Sequence, residues 1–335
     1  MGQALREESV MTKDVEAYFE RTVIPLIAEK HPEVAPEIGI RIGGSFGLGI
    51  ADELSDLDAH IYLDDLLWKA HGGQLQLTLE HCAPKFASTV GHPEICVFPM
   101  SWLLGGHYQE FLESTEDAPW EKVSIENLHE IHENLVLRDP HLIFARLREA
   151  TAPERFPGWL WGKLLISKLA RLVIEDLCEL RSAVKRGHML ESQVLLACVL
   201  EDLLHIGFIL NRTYWPWRTH LRWAFEKLPS VARIALPHLD VATSSHDWDG
   251  RLAAIQSVMD LYTKHIRDNG LLPQIDLSAP KLTEELSFAQ RLEAWSNPNW
   301  RDRILRCREM AVREGYDADD FWVWSLWRWV EADRT

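Results

Sequence analysis

The stretch Gly43–Leu63, GGSFGLGIADELSDLDAHIYL, decides the predicted fold. It follows the apolar run Ile38–Ile42, which is rich in β-branched residues and has no helical period, so that run predicts a strand. Gly43, Gly44 and Ser45 then break the strand. Two glycines allow the backbone to approach a phosphate closely, and the Ser45 hydroxyl can bond it. The sequence therefore predicts a phosphate-binding turn after the first strand.

Two aspartates, Asp56 and Asp58, are separated from Ser45 by ten residues and lead into a second predicted strand. Apolar and polar residues alternate here, and this period of two places both carboxylates on one face. Adjacent carboxylates repel each other unless a cation lies between them, so the pair indicates a divalent metal. Glu94, in the further predicted strand Pro93–Phe98, can face the same way. The three acids predict a nest for one or two magnesium ions, which suits phosphoryl or nucleotidyl transfer.

This combination resembles the DNA polymerase β-like nucleotidyltransferase superfamily. The segment LGIADELSDLD resembles a bacterial branch of this superfamily that has a long helical C-terminal region. Nucleotidyltransferases that modify aminoglycosides or lincosamides share this division into a catalytic and a helical part. The motifs cover about the first third of the chain. The resemblance implies that Ser45 contacts the triphosphate of ATP or another NTP, and that Asp56 and Asp58 bind magnesium. It implies that Glu94 is a metal ligand or the general base.

An α+β fold follows from the order of the predicted elements. Strands and helices mix up to about residue 115, and helical patterns punctuated by proline and glycine follow from Trp120 onward. We therefore expect a small mixed-sheet nucleotidyltransferase domain at 1–115 and an all-α helical bundle, assigned to acceptor binding, at 116–335. Within the first domain, Gln74–Glu80 alternates leucine with polar residues and favours a strand, with a helix as the alternative.

The composition limits the class of protein and its partners. Of 335 residues, 47% are hydrophobic and 26% charged, which is typical of a globular protein. We see neither an apolar run of membrane-spanning length nor a secretory signal, and five scattered cysteines indicate reduced thiols, so we expect a cytoplasmic protein without a membrane partner. A net charge of −16 makes a long nucleic acid an unfavourable partner and favours a small cationic acceptor.

Several residues of the helical region are candidates for binding. Lys163 could neutralise nucleotide phosphates, although a lysine at helical spacing also fits a solvated face. Glu201 and His205 lie four residues apart on one helical face and could bind an acceptor, unless that helix is simply exposed there. Tyr214 belongs to an aromatic loop that could stack on a base or sugar or could anchor the loop. The tryptophan-rich helix Asp319–Ala332 could form a homodimer contact.

Two other kinds of site are excluded by spacing. His129 and His132 are three residues apart, one short of the zinc-protease pattern, and no third ligand follows nearby. Gly47 and Gly49 do not form a dinucleotide-binding fingerprint, because the required helix and acidic ribose ligand are missing from the pattern.

The resulting hypothesis is a magnesium-dependent nucleotidyltransferase. It would move a nucleoside monophosphate, AMP from ATP, onto a hydroxyl of a small acceptor such as an aminoglycoside-like antibiotic and would release pyrophosphate. One alternative is nucleotidylation of a protein or a tRNA, as toxins of this superfamily carry out. Another is a nucleotide-binding regulator without turnover, which the intact set of acidic residues argues against.

Overall fold

The chain divides between Arg155 and Phe156 into two units in the computed structural model, which describes residues 10–86, 94–114 and 118–269. The first unit contains a four-stranded sheet and helices, and the described part of the second unit is built from helices and their connecting loops. The predicted α+β fold class is confirmed.

The strands and α-helices of the first unit have the following bounds. The strands are β1 (Gly39–Ile42), β2 (Ala59–Leu63), β3 (Ile95–Pro99) and β4 (Leu135–Arg138). The α-helices are α1 (Val10–Tyr18), α2 (Ile24–Lys30), α3 (Gly44–Leu48), α4 (Asp65–Leu67), α5 (Gly73–Cys82), α6 (Tyr108–Glu113), α7 (Ile125–Glu133) and α8 (Ile143–Ala150). Shorter 3₁₀ segments occur at Met100–Gly106 and Trp120–Lys122, and π-helical turns at Phe19–Val23 and Trp68–Gly72.

The sheet has the strand order β3-β2-β1-β4. β1 is antiparallel to both β2 and β4, and β2 is parallel to β3. One face of the sheet is the hydrophobic core, where Ile40, Ile61 and Val97 meet Phe19 and Leu75 of the surrounding helices. The other face carries Arg41, His60 and Tyr62, and there Tyr62 packs on Phe144 of α8 and Arg41 bonds Glu130 of α7.

Residues Gly73–Cys82 form a helix, so the strand favoured for Gln74–Glu80 is wrong. Leu75 and Leu79 are buried one turn apart, whereas Leu77 between them is half exposed. The leucine alternation therefore coincides with one buried and one exposed helical face. The π-helical turn Trp68–Gly72 runs directly into this helix, and a Cβ at Gly72 would lie 2.6 Å from the Trp68 indole.

The predicted domain boundary at 115/116 lies too early in the chain. The segment Leu135–Arg138, assigned from the sequence to the helical region, is β4 and pairs with β1, with Leu135 opposite Ile42. Since β4 completes the sheet, α7 and α8 on either side of it belong to the first unit.

The second unit contains α9 (Gly158–Ala170), a π-helical segment (Arg171–Asp176), α10 (Leu177–Arg186), α11 (Met189–Leu210), α12 (Leu221–Glu226), α13 (Val231–Ser244) and α14 (Trp248–Asp268). Pro237 lies inside α13, a position where proline usually breaks a helix. The helices predicted beyond residue 269, including the tryptophan-rich one assigned to a homodimer contact, lie outside the described residues.

Helix α11 corrects the expectation that no apolar run reaches membrane-spanning length. Its 22 residues are long and apolar enough to cross a bilayer by length and composition, with a mean hydropathy of 1.8 over an 18-residue window. However, 56% of that window is buried inside the protein, as in a helix at the centre of a bundle. Its fully buried Asp202 is paired with Lys168 and Arg171, which satisfies the charge within the unit.

Candidate functional site

The glycine turn after β1 is built around a close approach to an aspartate. Gly43 is extended and precedes α3, and Gly44 has a φ of +53°, which favours glycine. A Cβ on Gly44 would lie 2.2 Å from Asp58 Oδ2, so a side chain at this position would displace the Asp58 carboxylate. Ser45 is the second residue of α3 and is half-buried. The strand ends before Gly43 as predicted, and the helix that follows begins with Gly44 directly against the Asp58 carboxylate. Phosphate binding by this turn stays a prediction.

Four residues lie side by side where the four strands begin or end, at one edge of the sheet. We call them the edge row: Glu94, Asp58, Gly43 and Asn134. Asp58 precedes β2 and lies opposite Gly43, whose backbone N donates to the Asp58 carbonyl at 2.7 Å. Glu94 precedes β3 beside Asp58, and its carbonyl accepts from the Ala59 backbone N at 3.0 Å. Asn134 precedes β4, one residue before the Leu135–Ile42 pair, and so flanks Gly43 on the other side.

The two aspartates lie just before β2 and not within it. β2 begins at Ala59, and the segment that contains Asp56 and Asp58 is the extended lead into it. Leu57 between them is fully buried in the core, whereas both aspartates are only partly buried. The alternation predicted from the sequence therefore holds, and the two carboxylates leave the core side together.

The chemistry of these donors fits magnesium, but a closed nest is not formed. Carboxylate oxygens are the ligands that Mg²⁺ prefers, and Asp56, Asp58 and Glu94 come to the same sheet edge. Yet residues 10–86, 94–114 and 118–269 contain no group of three or more His, Cys, Asp or Glu side chains that could hold a metal ion. Glu94 Oε2 instead accepts a hydrogen bond from the Phe86 backbone N at 2.8 Å.

The edge row has a negative electrostatic character that its neighbours report. Burial, and then the charge of Glu94, raises the pKa of Tyr18 to about 12. Burial, and then the charge of Asp58, raises the pKa of the Cys96 thiol. Burial is the larger cause in both groups, and the added contribution of the Glu94 or Asp58 carboxylate disfavours further negative charge beside it.

A buried arginine lies behind the edge row on the same face of the sheet. Arg41 Nη2 donates to Glu130 Oε2 at 3.1 Å and to the Tyr62 hydroxyl at 3.2 Å, and lies 3.3 Å from His60 Nδ1. Burial, and then the charge of Arg41, lowers the pKa of His60 to about 4. Sequence analysis missed this network, although one charged residue inside the apolar run Ile38–Ile42 was a signal for it.

The predicted acceptor residues of the second unit have interior or paired positions. His205 is 5% exposed and stacks on Trp215, with ring centroids 4.5 Å apart. Tyr214 is 2% exposed and stacks on Trp161. Glu201 accepts two hydrogen bonds from the Arg218 guanidinium, at 2.6 and 3.0 Å.

The last of the predicted binding residues, Lys163, lies in α9, and its side chain is outside what the structure describes. The roles of Lys163, Glu201, His205 and Tyr214 in binding stay predictions.

Comparison with known proteins gives a family match and matches to solved structures. Residues 120–224 match the family described as Domain of unknown function (DUF4037), a span that includes α7, β4 and much of the second unit. Six chains of solved structures match, and one is a nucleotidyltransferase-like protein from Exiguobacterium sibiricum 255-15. It is 13% identical, with 88% of this chain and 92% of that chain covered and a TM-score of 0.38. No curated protein matches.

Proposed function

We propose that the protein is a magnesium-dependent nucleotidyltransferase that moves a nucleoside monophosphate onto a hydroxyl of a small acceptor. The observation that carries the proposal is the edge row. It puts the Asp58 carboxylate against Gly44 of the glycine–serine turn and puts Glu94 beside Asp58 on the neighbouring parallel strand. A triphosphate held at the turn would thus lie next to carboxylates of the kind that hold magnesium.

In the proposed reaction, the acceptor oxygen forms a bond to the α-phosphorus of ATP or another NTP. The bond between that phosphorus and the bridging oxygen breaks, and pyrophosphate leaves. The Gly43–Ser45 turn would bind the triphosphate through its backbone and the Ser45 hydroxyl. Glu94 would be a metal ligand, or it would accept the proton of the acceptor hydroxyl.

Asp56, Asp58 and Glu94 are the residues proposed to hold magnesium, as two ions. When bound, magnesium would neutralise charge on the reacting phosphates and activate the acceptor oxygen. Lys163 is proposed to add positive charge at the β- and γ-phosphates. The hydrogen bond from the Phe86 backbone N uses one lone pair of Glu94 Oε2, and a carboxylate can keep such a bond while it binds a metal ion.

A small cationic acceptor, such as an aminoglycoside-like antibiotic, is the proposed substrate. Two observations support it: the net charge of −16 and the Asp58 and Glu94 carboxylates at neighbouring positions of the edge row. A nucleotide-binding regulator is the second candidate, because no closed three-carboxylate group occurs among the described residues. The cytoplasmic location stays an expectation from the sequence.

Release of pyrophosphate tests the proposal. The wild-type protein is incubated with Mg²⁺, each of the four NTPs and a panel of aminoglycosides, beside Asp58→Asn and the control Asp249→Asn. Asp249 is an exposed aspartate in the first turn of α14. We expect pyrophosphate release by the wild type and the control and none by Asp58→Asn. Equal release by Asp58→Asn would overturn the site. Magnesium-dependent nucleotide binding without release for any acceptor would favour the regulator.

A further inference from the structure

Asn134 has a buried hydrogen-bond donor without a partner in the described part of the chain. The residue follows α7 and is 4% exposed, and its Nδ2 makes no hydrogen bond there. Its backbone is held firmly, because its N donates to Glu130 O at 3.2 Å and its carbonyl accepts from Arg148 Nη2 at 2.6 Å. A buried amide left unpaired is destabilising, so we expect a water molecule or a ligand atom to accept a hydrogen bond from it.

The space beside Gly43 gives that donor a place to act. A Cβ on Gly43 would lie 3.4 Å from Asn134 Nδ2, 3.5 Å from the Asp58 carbonyl oxygen and 3.6 Å from Asp58 Cβ. A methyl group at Gly43 would therefore contact both the Asn134 amide and Asp58, and it would obstruct a ligand that approaches the amide along the Gly43 backbone. The Gly43 φ of −98° and ψ of −163° are open to any residue, so backbone conformation does not require glycine here. What the glycine provides is the gap left by the absent methyl group.

The geometry points to Asn134 as a nucleotide-binding residue whose Nδ2 donates to a phosphate oxygen of the nucleoside triphosphate at the Gly43–Ser45 turn. This inference rests on the proposed function and adds a residue to it. A neutral amide suits the position, because a lysine beside Asp58 would pair with that carboxylate, whereas an amide keeps its donor for the ligand. A phosphate oxygen is the acceptor that a charge-assisted hydrogen bond favours.

The inference gives the segment from α7 to β4 a role in the site. The sheet register brings Asn134 beside Gly43 only because β4 pairs with β1. Asn134 falls within residues 120–224, the span that matches the domain of unknown function. That span would therefore supply one ligand-binding side chain to the unit that holds the aspartates.

Calorimetric titration with α,β-methylene-ATP and Mg²⁺ tests the role of Asn134. The variants are Asn134→Ala, which removes the donor, and Asn134→Asp, which replaces it with a charge at nearly the same volume. Gly43→Ala fills the gap, and Gly73→Ala is the matched glycine control, because a Cβ there meets no heavy atom within 4 Å. We expect binding to weaken by about tenfold or more in the first three variants and to stay unchanged in Gly73→Ala.

Thermal unfolding of the same variants separates binding from structure. Since Nδ2 has no protein partner to lose, Asn134→Ala should unfold within a few degrees of the wild type while binding nucleotide more weakly. Unchanged affinity in Asn134→Ala and Asn134→Asp would overturn the inference and leave the proposed function standing. A large drop in Tm that accompanies the loss of affinity would assign Asn134 a structural role instead. No nucleotide binding by the wild type would overturn both proposals.

Discussion

Alanine should affect two glycines after β1 differently: Gly44→Ala should mainly weaken nucleotide binding, and Gly47→Ala should mainly reduce stability. A Cβ on Gly44 and a Cβ on Gly47 would each lie 2.2 Å from an oxygen atom. At Gly44 the oxygen is Asp58 Oδ2, the end of a side chain that can rotate away. At Gly47 it is the Ile42 carbonyl oxygen in β1, with its carbon 2.9 Å away, and this backbone cannot move without disturbing the sheet.

The expected magnitudes follow from these contacts. In Gly44→Ala the clash is relieved by rotation of Asp58, and the remaining cost is the φ of +53° for alanine, about 1–2 kcal/mol of unfolding free energy. In Gly47→Ala the overpacking against backbone should cost about 3 kcal/mol. Gly44→Ala should therefore stay folded but lose magnesium-dependent nucleotide binding, because the Asp58 carboxylate is displaced.

Urea unfolding and nucleotide titration of both variants check this contrast. Equal losses of stability in Gly44→Ala and Gly47→Ala would refute the distinction between side-chain and backbone contacts. Wild-type nucleotide affinity in a folded Gly44→Ala protein would refute the assigned position of Asp58 in the site.

Three further predictions concern stability. Burial lowers the pKa of His205 to about 3, and nearby cations add to this effect. Below about pH 6.5 the unfolded chain therefore binds a proton that the folded protein does not, so the free energy of unfolding should fall as the pH drops from there. Urea unfolding at pH 7 and pH 5 measures this change. Between these pH values, His205→Gln should lose about 2 kcal/mol less unfolding free energy than the wild type loses. Tyr262→Phe removes a buried hydroxyl that donates to the Leu203 carbonyl at 3.0 Å, and the unfolding free energy should fall by about 1 kcal/mol. Asp64→Ala removes the cap that accepts from the Leu66 backbone N at 2.9 Å, and thermal unfolding should show a loss of about 1 kcal/mol.

Local sequence signals predicted the centre of the first unit well. The apolar run before Gly43 and the alternation around Leu57 lie within short segments, and both fixed which side chains face the core. The turn between them was predictable because two glycines and a serine interrupt a strand. Gln74–Glu80 was misread because leucines at every second position satisfy both a strand and a helix with one buried face.

Pairing between strands that lie far apart in the chain could not be predicted from the sequence. Nothing local in Leu135–Arg138 shows that it pairs with β1, a segment far earlier in the chain, and so the domain boundary was placed too early. Asn134 and Arg41 were missed for the same reason. The chemistry of each depends on neighbours from other strands and helices, namely Gly43 for Asn134, and Tyr62 and Glu130 for Arg41. The hydrogen bond between Glu94 and the Phe86 backbone N likewise depends on a tertiary contact.

In the proposed mechanism, the edge row binds a nucleotide together with magnesium through Asp58. A non-hydrolysable ATP analogue is titrated into wild type, Asp58→Asn and Asp249→Asn, each with Mg²⁺ and with EDTA. We predict binding by wild type and Asp249→Asn that requires Mg²⁺, and its loss in Asp58→Asn. Nucleotide binding that persists in EDTA, or that Asp58→Asn retains, would contradict magnesium-dependent binding through Asp58.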